Sequence, residues 1–359
     1  MIIEQLQVSG LRNLVPQKIS FNPGLNGVHG INGAGKTSLL EAVHLLAAGR
    51  SFRTTANQHF IAHETSSATV VAHLRDESGQ VIRLGMARSR QDLQLRIDGE
   101  RCERLSDFVR HLPAVALHPD SDALIGGGPD HRRRFIDRGV FHADPDFGDW
   151  SLRYTRAVRQ RNAALRAGVD ERAWEPALIH AGEQIDRRRR EFVDQLSQHL
   201  ARIGESLPGQ PELDLRYQPG FRREIELAEA LNQARNRDRE MGATQVGPHR
   251  ANLMLRMNGH PAHTTASRGQ LKILVAMLTL SLLQLWRETY GRNAVVLFDD
   301  LPSELDARHF GYLIDWLRDS GHQALVTAVE AHALAPHVDA VFHAENGSIT
   351  ADSTMVPAT

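Results

Sequence analysis

Residues 30–37, Gly-Ile-Asn-Gly-Ala-Gly-Lys-Thr, constrain this chain more than any other stretch. They follow the spacing G-x-x-x-x-G-K-T, in which glycines let the backbone curl until successive N–H groups face an anion. Gly30, Ile31, Asn32, Gly33, Ala34, Gly35, Lys36 and Thr37, with Ser38 next, therefore form a candidate phosphate cradle. Lys36 would reach the β- and γ-phosphates of a nucleotide, and the Thr37 hydroxyl would ligate Mg²⁺. The surroundings suit the motif. Residues 25–28 can end a strand, and residues 38–46 read as an amphipathic helix whose N-terminus faces the phosphates.

Composition narrows the rest. Apolar residues make up 41% and charged residues 24% of the 359, as in soluble globular proteins, and the length suffices for one large or two ordinary domains. No apolar run reads as long enough to cross a bilayer, and the N-terminus lacks the charged and apolar regions of a signal peptide. A single cysteine, Cys102, excludes an internal disulfide and predicts a reducing cytoplasm. The 19 histidines follow no metal-binding spacing. The net charge of −1 points to no partner, but lysine occurs only at 18, 36 and 272, so nearly every basic residue is arginine.

Along the chain, strand patterns fall at 2–8, 18–21, 68–74, 81–86, 92–97 and 114–117, with a hairpin signal at Asp98-Gly99. After Gly126-Gly-Gly-Pro129 the pattern turns helical, with long helices expected at 145–167 and 171–203. Ten arginines stand against five acids between 151 and 190. Strands return from 242, at 251–257, 295–298, 324–328 and 340–342, around an apolar helix at 268–289. The expected organisation is an α/β head formed by residues 1–120 and 242–359, with an arginine-rich helical lobe at 121–241.

Two further features carry chemistry. Four apolar residues run into Asp299 and Asp300. A carboxylate ending a buried strand beside a phosphate loop can support Mg²⁺, and the next acid can orient or deprotonate an attacking water. The loop that follows, Ser303-Glu-Leu-Asp306, also reads as a capping box with Ser303 as the cap. Ser267, Arg268, Gly269 and Gln270 form another such box before the apolar helix, and an uncovered helix start is an anion site. One phosphate loop already serves this chain's nucleotide, so a second anion site suggests a nucleotide shared between two copies.

Together, in this order, these motifs resemble an ABC-type ATPase head of the SMC-like group. Within that group the chain resembles the RecF family. The resemblance rests on Leu11-Arg12-Asn13, Gly49-Arg-Ser-Phe-Arg53, His118 to Ile125, Pro129 to Asp137, Tyr154-Thr-Arg156, Arg161-Asn162, Gly247-Pro-His-Arg250 and Phe298 to Asp306. It implies ATP on the loop of one subunit covered by residues 267–270 of a second, with Arg12 and Asn13 near the base, in an ATP-dependent homodimer. Lys36, Asp299 and Asp300 would be catalytic, and Thr37 with Asp299 would hold Mg²⁺. It also implies slow hydrolysis, DNA gap repair, and RecR, RecO and RecA as partners. Departures from the wider ATPase pattern are Thr327 where transporters carry a switch histidine, no clear glutamine-loop residue near His118, and Pro302 after the acids.

Aromatic residues are only 6% and do not alternate with basic ones, which disfavours a stacking platform and favours arginine contact with a duplex backbone. The candidates are Arg53, Arg132, Arg156, Arg187, Arg188 and Arg189. A transporter subunit and a non-catalytic nucleotide scaffold are the competing classes. A small GTPase is excluded, because no Asn-Lys-x-Asp motif occurs.

Overall fold

The structure, a computed structural model, describes residues 1–54, 57–206 and 212–352. The alternating stretch at the N-terminus forms β1 (Ile2–Ser9), in which a bulge between Ile3 and Gln5 brings Ile3, Leu6 and Val8 all to the buried face. β2 (Gln17–Ser20) pairs with it, and β3 (Leu25–His29) leads into the phosphate loop and α1 (Lys36–Ala48). The amphipathic pattern expected for α1 is not what forms. Leu39, Leu40, Ala42, Val43, Leu45 and Leu46 are all buried, because α1 packs against strands of two different sheets.

The first of these sheets is antiparallel. β4 (Ser67–Arg75), β5 (Val81–Ser89), β6 (Leu93–Ile97) and β7 (Glu100–Arg101) complete it in the order β2-β1-β4-β5-β6-β7, so β1 is an interior strand. The predicted turn at Asp98 and Gly99 has φ of 52° and 88°, as a two-residue hairpin turn requires. α2 (Leu105–Val109) and β8 (Ala114–Leu117) follow.

The chain then enters a second unit, Asp122–Tyr290, while Met1–Ser121 and Gly291–Thr359 make up the first. The second unit contains α3 (Ala123–Gly126), α4 (Pro129–Ala143), α5 (Phe147–Ala167) and α6 (Glu175–Ser206). β9 (Leu213–Gln218), α7 (Leu227–Met241), β10 (Asn252–Met257), β11 (His260–Pro261), α8 (Ala262–Thr265) and α9 (Arg268–Tyr290) complete it. The return to the head, expected at 242, thus falls at Gly291. The reason is pairing: β10 lies between β9 and β11 in a sheet of this unit, and α9 packs on α4 and α6. α9 also corrects the expectation that no segment could cross a bilayer. By length and composition it could, yet 67% of its most apolar stretch is buried, as in a core helix. Its Trp286 is fully buried and donates Nε1–H to the Gly139 carbonyl at 3.0 Å.

Back in the first unit, β12 (Val295–Phe298), α10 (Leu301–Glu304), α11 (Ala307–Ser320), β13 (Gln323–Ala328), β14 (Ala340–Glu345) and β15 (Ser348–Ala351) complete the mixed α/β head. The second sheet runs β15-β14-β3-β13-β12-β8, parallel except for β15. Buried Gln323 ties the two sheets together. Its side chain accepts from the Ile3 N–H at 2.7 Å and donates to the carbonyls of Ile3 and Asn22 at 2.9 and 2.8 Å.

Candidate nucleotide site

The phosphate loop is shaped by residues that only glycine can be. Gly35, just before α1, has φ 115°, and Gly30 has φ 151° with a hypothetical Cβ only 2.3 Å from the Ala344 carbonyl oxygen. Since α1 begins at Lys36, the N–H groups of its first turn have no partner within the helix and face the loop. Lys36 folds back over that loop. Its Nζ donates to the carbonyls of Gly30 and Ile31 at 2.5 and 3.1 Å. Burial pulls this ammonium below the usual lysine range, while Asp300 and Asp299 act in the opposite direction.

β3 and β12 both lie against β13, so the strand ends bring the acids to the loop. The Thr37 hydroxyl donates to both carboxylate oxygens of Asp299, at 3.0 and 2.9 Å. Asp300 is held in a left-handed conformation, φ 55° and ψ 42°, and its Oδ1 is buried with no hydrogen-bond partner. Thr327 clamps both acids. From β13, fully buried, its hydroxyl donates to Asp299 Oδ1 at 3.0 Å and accepts from the Asp300 N–H at 2.8 Å. The residue at the expected switch position therefore holds the acid pair.

These residues fit a Mg²⁺-nucleotide. Thr37 and Asp299 offer hard oxygen ligands, and an orphaned carboxylate oxygen beside an anion cradle has a use only once something enters. Elsewhere, among the described residues, no group of three or more His, Cys, Asp or Glu could hold a metal ion.

Asn13 lies against the loop, donating from Nδ2 to the Gly33 carbonyl at 2.7 Å and accepting from Ser38 Oγ at 2.9 Å. Arg12 is pinned from below by fully buried Glu41 of α1, with Nε and Nη2 bonds of 2.8 and 2.9 Å. Ser51 also donates to Glu41, and half-exposed Arg53 stands 3.7 Å from it. Phe52 stacks on His118 with ring centroids 5.0 Å apart. Glu41 escaped sequence reading because its partners lie on both sides of the loop. The turn at Asn346 and Gly347 escaped as well, although Asn-Gly is a hairpin signal. Gly347 donates its N–H to the Ala34 carbonyl at 2.9 Å and so props up the phosphate loop.

Two local expectations change. Asp306, rather than Ser303, caps the following helix, its Oδ1 accepting from the N–H groups of Arg308 and His309 at 3.1 and 3.0 Å. Pro302 falls in the first turn of α10, where a missing N–H costs nothing. In the second unit, Ser267 and Gln270 do form a reciprocal capping box, with bonds of 2.9 and 3.3 Å, and Arg268 and Gly269 between them are exposed.

The candidate DNA arginines divide. Arg189 is buried against Asp137 at 2.8 and 3.0 Å and the Pro248 carbonyl at 2.7 Å. Arg132 bonds Asn252 and the carbonyls of Ile125 and Gly127 at 2.8, 3.0 and 2.6 Å, and Arg188 bonds Asp144 at 2.7 Å. These three are engaged within the fold, Arg189 buried and Arg132 and Arg188 partly so. Arg156 and Arg187 remain exposed.

A phosphate loop on α1, an acid pair on the adjoining sheet and an inserted second unit define a nucleotide-binding head of the SMC type. The family model for the RecF/RecN/SMC N terminal domain matches residues 2–350. The DNA replication and repair protein RecF of Thioalkalivibrio sulfidiphilus is 43% identical over 97% of this chain and 99% of its own length. That of Chromohalobacter salexigens is 38% identical, again over 97% and 99%. The chain belongs to the RecF family. Its fold matches a solved structure of the recombination mediator protein RecF-ATP in the RecFOR pathway, with TM-score 0.89, 24% identity and coverage of 98% and 97%. It also matches an Smc head bound to the C-winged helix domain of ScpA, with TM-score 0.60, 14% identity and coverage of 98% of each chain.

Proposed function

We propose that this chain is an ATP-dependent DNA-binding protein of recombinational repair. In this reading it is a slow, DNA-stimulated ATPase that closes as an ATP-dependent homodimer on duplex DNA at single-strand gaps. It supports RecA loading, replication restart and SOS induction, with RecR and RecO as mediators, in the cytoplasm at the nucleoid. The observation that carries the reading is the pairing of a complete loop-and-acid site with an exposed, capped helix start at residues 267–270 in the same chain. Such a helix start suits the nucleotide of a second copy.

Lys36 and the loop N–H groups would hold the β- and γ-phosphates, and Thr37 with Asp299 would hold Mg²⁺, which when bound would supply positive charge beside the phosphate oxygens. Asp300 orients the attacking water and accepts its proton. Thr327 fixes where both carboxylates stand.

Replacing Thr327 with valine keeps the shape and removes both hydrogen bonds. ATP turnover is expected to fall about 10- to 100-fold with ATP affinity nearly unchanged, and serine should restore most of it. Unchanged turnover in Thr327→Val would remove the clamp from the mechanism.

The reading as a whole is tested by ATP hydrolysis per subunit against protein concentration, with and without gapped duplex. A specific rate that climbs with concentration and rises with DNA supports the shared site. A flat rate blind to DNA describes a self-contained ATPase, and ATP binding with no turnover describes a scaffold.

A further inference from the structure

Several residues that mark this family outside the nucleotide site meet in the second unit, where nucleotide chemistry does not need them. Along α5, Thr155, Arg159, Asn162 and Arg166 are spaced four, three and four residues apart, which sets them on one helix face. With His249, Tyr154 and Val158 they line an open groove of about 320 Å³. That volume suits one small ligand.

The wall of the groove is rigid. Thr244 donates from its N–H and Oγ1 to Asn162 Oδ1 at 2.8 and 2.7 Å, and buried Arg161 donates to the Thr244 hydroxyl at 2.9 Å. Gly247 has φ 124°, and a Cβ there would stand 2.5 Å from the Tyr154 hydroxyl, so only glycine lets the wall close. His249 is spent. The Tyr154 hydroxyl lies 2.7 Å from its Nδ1, and its Nε2–H donates to the Thr244 carbonyl at 2.9 Å. Burial also favours the neutral ring, leaving a flat, uncharged surface for the groove.

What remains for recognition is donors. Arg159 and Arg166 are exposed and make no hydrogen bond or ion pair among the described residues, and α5 has no acid after Asp149. Because the Thr244 N–H fixes Asn162 Oδ1 as an acceptor, the Asn162 amide nitrogen is left as a further donor. The two arginines stand two turns apart, about 10 Å along the helix. Both side chains are long and unpaired, so from these positions they can converge on the more closely spaced phosphates either side of one nucleotide.

We infer that this groove takes one unpaired nucleotide of a DNA strand, its flanking phosphates on Arg159 and Arg166 and its base against Val158, Tyr154 and His249. The inference rests on the DNA-binding function proposed above and assigns the preference for gaps to a particular place. A sealed duplex keeps its bases stacked inside and can offer the groove only backbone, whereas a gap supplies a base free to enter. One pocket of this kind needs no aromatic platform.

The test is equilibrium binding of the full chain with ATP to a gapped duplex carrying 2-aminopurine in the gap, and to the same duplex sealed. Two variants are compared with wild type: Val158→Trp, which fills the groove without changing charge, and Arg159→Ala with Arg166→Ala, both at exposed positions. The expected result is about a tenfold loss of affinity for the gapped DNA in each, with sealed-duplex affinity held within about twofold and the 2-aminopurine signal lost. Equal losses on both substrates would reduce the groove to a backbone contact and overturn the inference. So would variants that bind both substrates as wild type does. A wild-type chain that binds neither DNA would overturn the proposed function along with it, and free nucleotide displacing the gapped DNA from the groove at equal affinity would replace the strand as its ligand.

Discussion

Asp300→Asn is expected to lower kcat for ATP hydrolysis by about 10²–10⁴-fold while leaving ATP affinity close to that of the unchanged protein. Asparagine has nearly the same shape and tolerates the left-handed backbone that residue 300 adopts, so the Thr327 bond to its N–H survives. What goes is the ability to take a proton from water. The buried Oδ1 has no partner within the protein, so little native structure is lost with the carboxylate. Under the proposed function, in which ATP assembles the dimer and hydrolysis releases it, the same variant should hold dimers together for longer. Single-turnover kinetics and sedimentation with ATP check both halves. A kcat unchanged in Asp300→Asn would place the base elsewhere.

Arg161→Ala is the substitution expected to cost most stability, about 3–5 kcal/mol. Arg161 is fully buried, donates to Asp238 at 2.7 Å and to Thr244 at 2.9 Å, and pairs with Glu175 at 3.2 Å. Asp238 is itself wholly buried, so removing the guanidinium strands a carboxylate in the interior. The melting temperature should drop by about 10 °C. Adding Asp238→Ala should recover part of the loss, because the penalty comes mostly from the unpaired charge. A single variant as stable as wild type would show that the pair is not what braces this unit.

Arg161 also shows where sequence reading stops. The phosphate loop was legible because its function is written in consecutive residues, and Asp299 and Asp300 were legible because a buried strand ending in acids is a local pattern too. Burial of an arginine is decided by partners far away: Asp238 for Arg161, Asp137 and the Pro248 carbonyl for Arg189, Asn252 for Arg132. An arginine run on a helix reads the same whether it faces solvent or a carboxylate fifty residues distant. The strand signals after 242 do not say which unit they belong to, for a related reason. Asn258-Gly259 marks a hairpin, but a hairpin signal does not say which sheet it joins, and here β10 joins β9. In the sequence Thr327 stands out only for not being histidine. Its use became visible once β13 was set between β3 and β12.

That same strand order has a consequence for how the protein is made. β3, which ends in the phosphate loop, has β13 on one side and β14 on the other, so residues 25–29 find no strand neighbours until residues 323–345 exist. Gln323 likewise reaches back to Ile3. During synthesis the loop motif leaves the ribosome well before its partners and waits through some three hundred further residues before its strand is paired, a long-range closure of the kind that folds slowly. A nascent or truncated chain lacking those last strands carries the whole phosphate-binding signature and no site, so ATP binding reports that translation has reached the far end of the head.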